Sequence, residues 1–247
     1  APAITNFSQV GVYYVECSDW SKVTGIKFAQ STTGRNFLKK FPDIASISQV
    51  LTGLTSLREF AKNNSLTDDA ITDISNITSL TDIYAGWQSC GGADGSIPDL
   101  SNLVNLTTTQ AAWYFATNLT GPVPDISGIV GLTNIANMVG YDTNLTLTDI
   151  SPWTWGANIS EADMSHSKVS YNSSGGCLSA NVNNAINLNL TSCNLTVDMI
   201  NNICIDLDTT GNTGMTVNIS SNTAPTGAGL TAYNSLVSKG NTMTRDI

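Results

Sequence analysis

Leu188-Asn189-Leu190-Thr191-Ser192-Cys193-Asn194-Leu195 is the stretch on which the reading of the fold turns. It runs apolar-x-apolar-x-x-(Ser/Cys/Asn)-x-apolar. The same phrase occurs upstream in Ala162-Asp163-Met164-Ser165-His166-Ser167-Lys168-Val169 and downstream in Val217-Asn218-Ile219-Ser220-Ser221-Asn222-Thr223-Ala224. Alternation of apolar and polar residues over a few positions marks a strand with one buried face. A short strand and corner that return about every 26 residues indicate a stacked coil, each turn giving one strand to a parallel sheet.

Working outward, the middle of the chain carries a second shared phrase. Thr72-Asp73-Ile74-Ser75-Asn76-Ile77 is followed by Pro98-Asp99-Leu100-Ser101-Asn102-Leu103, by Pro124-Asp125-Ile126-Ser127-Gly128-Ile129 and by the weaker Thr148-Asp149-Ile150-Ser151-Pro152-Trp153. The aspartates are separated by 26, 26 and 24 positions. Asp-x-Ser followed by apolar residues three apart predicts a single helical or 3₁₀ turn on the side opposite the strand. Leu54 to Phe60 is an earlier copy. In the tail, Asn194–Leu207 and Pro225–Lys239 have apolar residues at helical spacing, and Thr242-Met243-Thr244 reads as a closing strand. Residues 1–41 are irregular, with a β-like run at Val10–Val15 and a degenerate rung at Gly25–Ser31. They read as an N-terminal cap or attachment segment ahead of an array over residues 42–247, since terminal repeats must cover an exposed core edge.

The strand-and-corner phrases, together with Gly95-Ser96-Ile97-Pro98 and Leu119-Thr120-Gly121-Pro122-Val123-Pro124, resemble the leucine-rich repeat family, the latter two its plant-type bend. The resemblance covers roughly residues 45–245. It departs from the family in having few leucines at the Asn corner and in small interior residues such as Ala85 and Ala111. The fold it implies is an α/β solenoid, a right-handed coil with a parallel sheet, an irregular N-terminal cap and a helix-strand C-terminal cap. The segment from Leu195 to Thr244 is also similar to repeat proteins of phages that infect Bacteroidetes and of their hosts.

Bulk properties narrow the partners. The net charge is −9, with only ten lysines and arginines, which form no stripe. Phosphate neutralisation is what binds nucleic acid, so neither DNA nor RNA is expected as a partner. No apolar run reaches the length of a membrane span. Ala1-Pro2-Ala3-Ile4 reads as a mature or Met-trimmed end, compatible with a removed signal peptide. The five cysteines form no C-x-x-C pair. They read as buried thiols, with Cys177–Cys193 or Cys17–Cys90 bridges as the alternatives. No cofactor and no metal site are expected.

Strand alternation sorts the side chains of each rung. Ile83 and Ala85, Thr109 and Ala111, and Ile135 and Asn137 are expected to point inward, as are Ala162 and Met164, Leu188 and Leu190, and Val217 and Ile219. Tyr84, Gln110, Ala136, Asp163, Asn189 and Asn218 then face outward beside a row of Asp82, Thr108, Asn134, Glu161, Asn187 and Thr216. Trp87 and Trp113, 26 apart, should stack in adjacent repeats, as a packed strip or as a platform for sugar rings or a protein partner. The candidate ligand-binding set is Tyr84, Trp87, Gln110, Trp113, Tyr114, Asn134, Glu161 and Asp163, with no catalytic residue. Glu161 and Asp163 are about 7 Å apart at strand rise, a spacing that also suits paired carboxylates in glycoside hydrolysis, but an open face does little to raise a carboxyl pKa. The sole histidine, His166, reads as a surface residue at a repeat corner. The Asn-x-Ser/Thr sites, among them Asn105, Asn118 and Asn144, read as by-products of the repeat phrase.

The function expected from these readings is that of a non-enzymatic virion surface or tail protein, a spike or fibre. Its repeat face would bind a host-surface glycan or receptor protein, or other virion structural proteins. A secreted or cell-surface bacterial adhesin is the alternative, a polysaccharide-degrading enzyme the third reading, and homo-oligomerisation is open.

Overall fold

The computed structural model describes residues 53–62, 74–91, 95–141, 144–179 and 182–246. The expected cap over residues 1–41 lies outside them. Within them the chain forms short parallel strands and two helices, an α/β arrangement.

One parallel ladder runs through the described residues. Ser56 pairs with Asp82, Asp82 with Thr108, Thr108 with Asn134, and Asn134 with Glu161. From there the pairing continues through β4 (Glu161–Asp163), β6 (Asn187–Asn189), β7 (Thr216–Asn218) and β8 (Thr242–Thr244), each parallel to the last. A second strip pairs β1 (Gly95–Ser96) with β2 (Leu119–Thr120) and β3 (Thr148–Asp149) with β5 (Val169–Ser170). The Thr146 amide, donating to the Gly121 carbonyl at 2.8 Å, ties the two halves of that strip together.

The early rungs pair through one residue and the later ones through three, and a side-chain oxygen explains the difference. Asp82 Oδ1 accepts the Tyr84 amide (2.7 Å), Thr108 Oγ1 the Gln110 amide (3.2 Å) and Asn134 Oδ1 the Ala136 amide (2.8 Å). A side chain that captures the N–H two residues on bends the backbone into a turn. In the later rungs the same task falls to Asp163, Asn189 and Asn218, two positions further along. The strand therefore runs two residues longer before it turns.

This corrects one expectation. Ala85, Ala111 and Asn137 are not inward strand residues but left-handed corners, with φ of 52°, 55° and 54°. Ala85 and Ala111 are still buried, whereas Asn137 is half-buried. Among the outward-facing residues Ala136 is buried instead, at 9% exposure. The longer inward pairs Ala162 and Met164, Leu188 and Leu190, and Val217 and Ile219 are all buried in one core.

Two features hold the rungs in register. The hydroxyls of Thr81, Thr107, Thr133 and Ser160 donate to the carbonyls of Thr55, Thr81, Thr107 and Thr133 at 3.0, 2.9, 3.0 and 3.3 Å, alongside backbone bonds to the same acceptors. On the opposite side the Asp-x-Ser phrase forms consecutive tight turns. Asp99 and Asp125 accept the amides of Ser101 and Ser127, and Leu103 and Leu106 each bond to the carbonyl three residues back.

In the tail, helix α1 (Val197–Thr209) starts at Thr196, whose side chain accepts the Met199 amide. Helix α2 (Gly227–Ser238) packs against α1 at Gly229, where an added Cβ would collide with the Asn201 side chain and come within 2.5 Å of its Cα. Alanine in place of a helical glycine ordinarily stabilises by about 1 kcal/mol. Here the sign reverses: Gly229→Ala is expected to destabilise by about 1–3 kcal/mol as the helices separate. Urea denaturation checks this, and a variant as stable as the parent would show that the contact is slack.

Under the ladder, Phe60, Trp87 and Trp113 form an interior aromatic file. Trp87 and Trp113 stack with centroids 5.7 Å apart and planes 9° from parallel, and Phe60 meets Trp87 edge-on at 5.8 Å.

Candidate functional site

The strand face gathers most of the sequence-predicted residues onto one surface. Asp82, Tyr84, Gln110, Asn134, Glu161 and Asp163 occur on successive rungs, half-buried, and are linked sideways. Arg58 bonds to Asp82 at 3.2 Å, and its guanidinium lies 4.1 Å from the centre of the Tyr84 ring. Asn134 donates to Gln110 at 3.3 Å, Asn187 to Glu161 at 3.0 Å, and Asn189 to Asp163 at 3.1 Å. Each carboxylate of the Glu161/Asp163 pair is thus held by an amide of the next rung, and Asp163 also accepts the Ser165 amide at 2.9 Å. Both carboxylates are therefore engaged by hydrogen-bond donors of the neighbouring rung.

Trp87 and Trp113 do not belong to this surface. They are 1% and 0% exposed, so no ligand reaches them. Their 26-residue spacing stacks them as expected, but on the inner side of the left-handed corners at Ala85 and Ala111, where the chain has already turned into the core.

Tyr114 sits where the strand face rounds the corner, and it leads to rings outside the candidate ligand-binding set, among them His166, exposed at a corner as expected. Phe115 and Tyr141 stack at 4.6 Å with planes 9° apart, and Tyr141 and His166 stack at 4.2 Å with planes 19° apart. Tyr114 stands edge-on to Phe115 at 4.5 Å and to Tyr141 at 5.7 Å, and its ring covers Gly140, where an added Cβ would lie 3.1 Å from it. Phe115 and Tyr141 are 40% and 38% exposed, and His166 is exposed as well. Burial, then the nearby Tyr141 and Asp163, raises the Tyr114 hydroxyl pKa. The signal that could have found this column was the spacing of 26 and 25 residues from Phe115 to Tyr141 to His166.

Other groups are structural. Asp206 on α1, 1% exposed, accepts from the Tyr171 hydroxyl (2.6 Å) and from the amides of Gly175 (2.7 Å) and Gly176 (2.9 Å). The Tyr171 oxygen in turn accepts the Leu178 amide at 3.0 Å. Burial pushes the thiols of Cys177 and Cys193 up, and that of Cys204 to about 12. They are therefore poor nucleophiles near neutral pH. Cys177 and Cys193 are not bridged to one another, and Cys17 lies outside the described residues. No cluster suited to a metal ion occurs among the described residues. The side-chain amides of Asn105, Asn118, Asn144 and Asn158 donate to carbonyls of the preceding rung, which engages the nitrogen that glycosylation would modify. An open apolar groove of about 310 Å³ lies between Ile129–Val130 and Trp155–Asn158. No helix among the described residues is long and apolar enough to cross a membrane.

The chain matches no protein-family model, no curated protein and no solved structure.

Proposed function

We propose that this chain is a leucine-rich-repeat-like solenoid that serves as a non-enzymatic surface or tail protein of a virion and uses its repeat face to hold a host-surface glycan, a receptor or a neighbouring structural protein. The observation that carries the binding role is the parallel ladder from Ser56 to Thr242, which displays one continuous polar strip with an exposed aromatic corner. A broad, open strip suits holding an extended partner, because contacts add up along it. It excludes little water, and water exclusion is what makes charge stabilisation at a catalytic centre effective. Glu161 and Asp163 act in this reading as partners of the Asn187 and Asn189 amides. The virion assignment carries forward the expectation read from the sequence of Leu195 to Thr244.

Immunogold labelling of purified particles with antibody to the full chain tests the placement. Label on the tail or outer surface is the expected result. Unlabelled particles alongside labelled envelopes of uninfected cells would overturn the virion assignment in favour of a bacterial adhesin.

A further inference from the structure

The ring column is costly where it stands. Phe115, Tyr141 and His166 all have left-handed backbone, with φ of 60°, 60° and 57°. The bulky Phe and Tyr side chains disfavour that conformation, which His tolerates better. The neighbouring rungs need the same conformation and meet it with serine: Ser89, Ser192 and Ser221 have φ of 55°, 57° and 55°. Backbone bonds from Ser89 to the Tyr114 carbonyl, from Phe115 to Gly140, from Tyr141 to His166, from His166 to Thr191 and from Ser192 to Ser220 carry this corner from rung to rung. The fold therefore requires only a small residue here. Three rungs instead carry rings that stay exposed to solvent on part of their surface, so core packing alone does not account for them.

The geometry points to this corner as a binding subsite for a neutral saccharide, with Tyr114, Phe115, Tyr141 and His166 as the contact residues. The subsite rests on the binding role proposed above and names its ligand class. The rings give an apolar surface several rungs long. The column ends on His166, and the next rung offers only Ser192, so no described ring covers the far face of the imidazole. A sugar ring is the proposed occupant of that face. The Tyr114 and Tyr141 hydroxyls, the imidazole and the Ser192 hydroxyl have no hydrogen-bond partner among the described residues, which leaves donors and acceptors beside the rings for sugar hydroxyls. Charge decides between classes of glycan. The adjacent strip carries Asp82, Glu161 and Asp163 in a chain of net charge −9, and Asp163 is close enough to act on Tyr114. A uronate, sialylated or phosphorylated sugar would be repelled.

The test uses the full chain against arrayed neutral gluco-, manno- and galacto-oligosaccharides, with uronic-acid oligosaccharides as the contrasting arm. Selective binding to a neutral arm is expected, weakened about tenfold or more, equivalent to about 1.4 kcal/mol, in Tyr141→Ser and in His166→Ser. Serine is the residue neighbouring rungs already tolerate at this φ, so both variants should keep the parent unfolding temperature. The protein has one histidine, so its imidazole proton signals form a single reporter, expected to move on titration with the bound oligosaccharide. No binding to any neutral arm, preference for the uronate arm, or variants that bind like the parent would each overturn the subsite. So would a host protein bound through the column without competition from oligosaccharide. Particles carrying the chain on their surface with unaltered array binding in the variants would sink the subsite alone. Neutral-sugar binding by a chain absent from particles would sink the virion assignment alone.

Discussion

Trp113→Ala is expected to cost about 3–5 kcal/mol, the range for deleting a large buried aromatic. For a chain of this length that is a fall in Tm on the order of 10 °C. Trp113 is fully buried, lies flat on Trp87 and belongs to the file that Phe60 continues. Its removal leaves a cavity between two rungs, and the rigid backbone ladder above prevents collapse into it. The cost has one offset. The Trp113 indole N–H has no hydrogen-bond partner among the described residues, so the substitution also removes a buried polar group, which draws the estimate toward the lower end. Thermal unfolding followed by circular dichroism checks this, with Tyr141→Ser measured beside it. A Trp113→Ala protein that melts with the parent would contradict the interior placement of the ring.

Asp206→Ala is expected to lose about 3 kcal/mol, because a carboxylate that holds three donors is removed and each donor left without a partner costs about 1–3 kcal/mol. Gly175 is exposed, so water can reach its amide and the sum stays below the additive limit. Tyr171 is buried, and its oxygen both donates to Asp206 and accepts from Leu178. Loss of the carboxylate therefore releases the loop from Tyr171 to Leu178 from helix α1. Hydrogen exchange at the amides of Gly175, Gly176 and Leu178 should accelerate well beyond that of β6 and β7. Exchange that speeds up uniformly along the chain would mean that Asp206 stabilises the fold without clamping the loop.

The sequence reading succeeded where the strand runs three residues. In the rungs at Ala162, Leu188 and Val217, apolar alternation persists long enough to fix which side chains point inward, and the flanking row from Asp82 to Thr216 coincides with the residues that pair. The tail helices and Thr242–Thr244 follow from apolar spacing and a capping threonine. The reading failed at Ala85, Ala111 and Asn137 because the turn begins two residues earlier there. The cause is the Asp, Thr or Asn at positions 82, 108 and 134, whose side chain captures the second amide onward. In sequence a capping oxygen on a strand is indistinguishable from an ordinary polar outward residue. The same early turn carries Trp87 and Trp113 inward, which bears out the packed strip and removes them from the ligand-binding set, and it brings Phe115 and Tyr141 to the surface. Tyr84, Gln110, Asn134, Glu161 and Asp163 were placed on one surface correctly. That surface is more internally bonded than a row of polar letters conveys.

The chain of hydroxyls from Thr81 to Ser160 restricts how the gene can change length. Each link joins equivalent atoms on adjacent turns, so losing or duplicating one whole turn reconnects like to like. A gap of two or three residues within a turn instead brings a hydroxyl opposite the wrong carbonyl and shifts every later ring off the column. Length changes that keep every hydroxyl link are therefore expected in increments near 26 residues, while the identity of the corner residue can change one rung at a time.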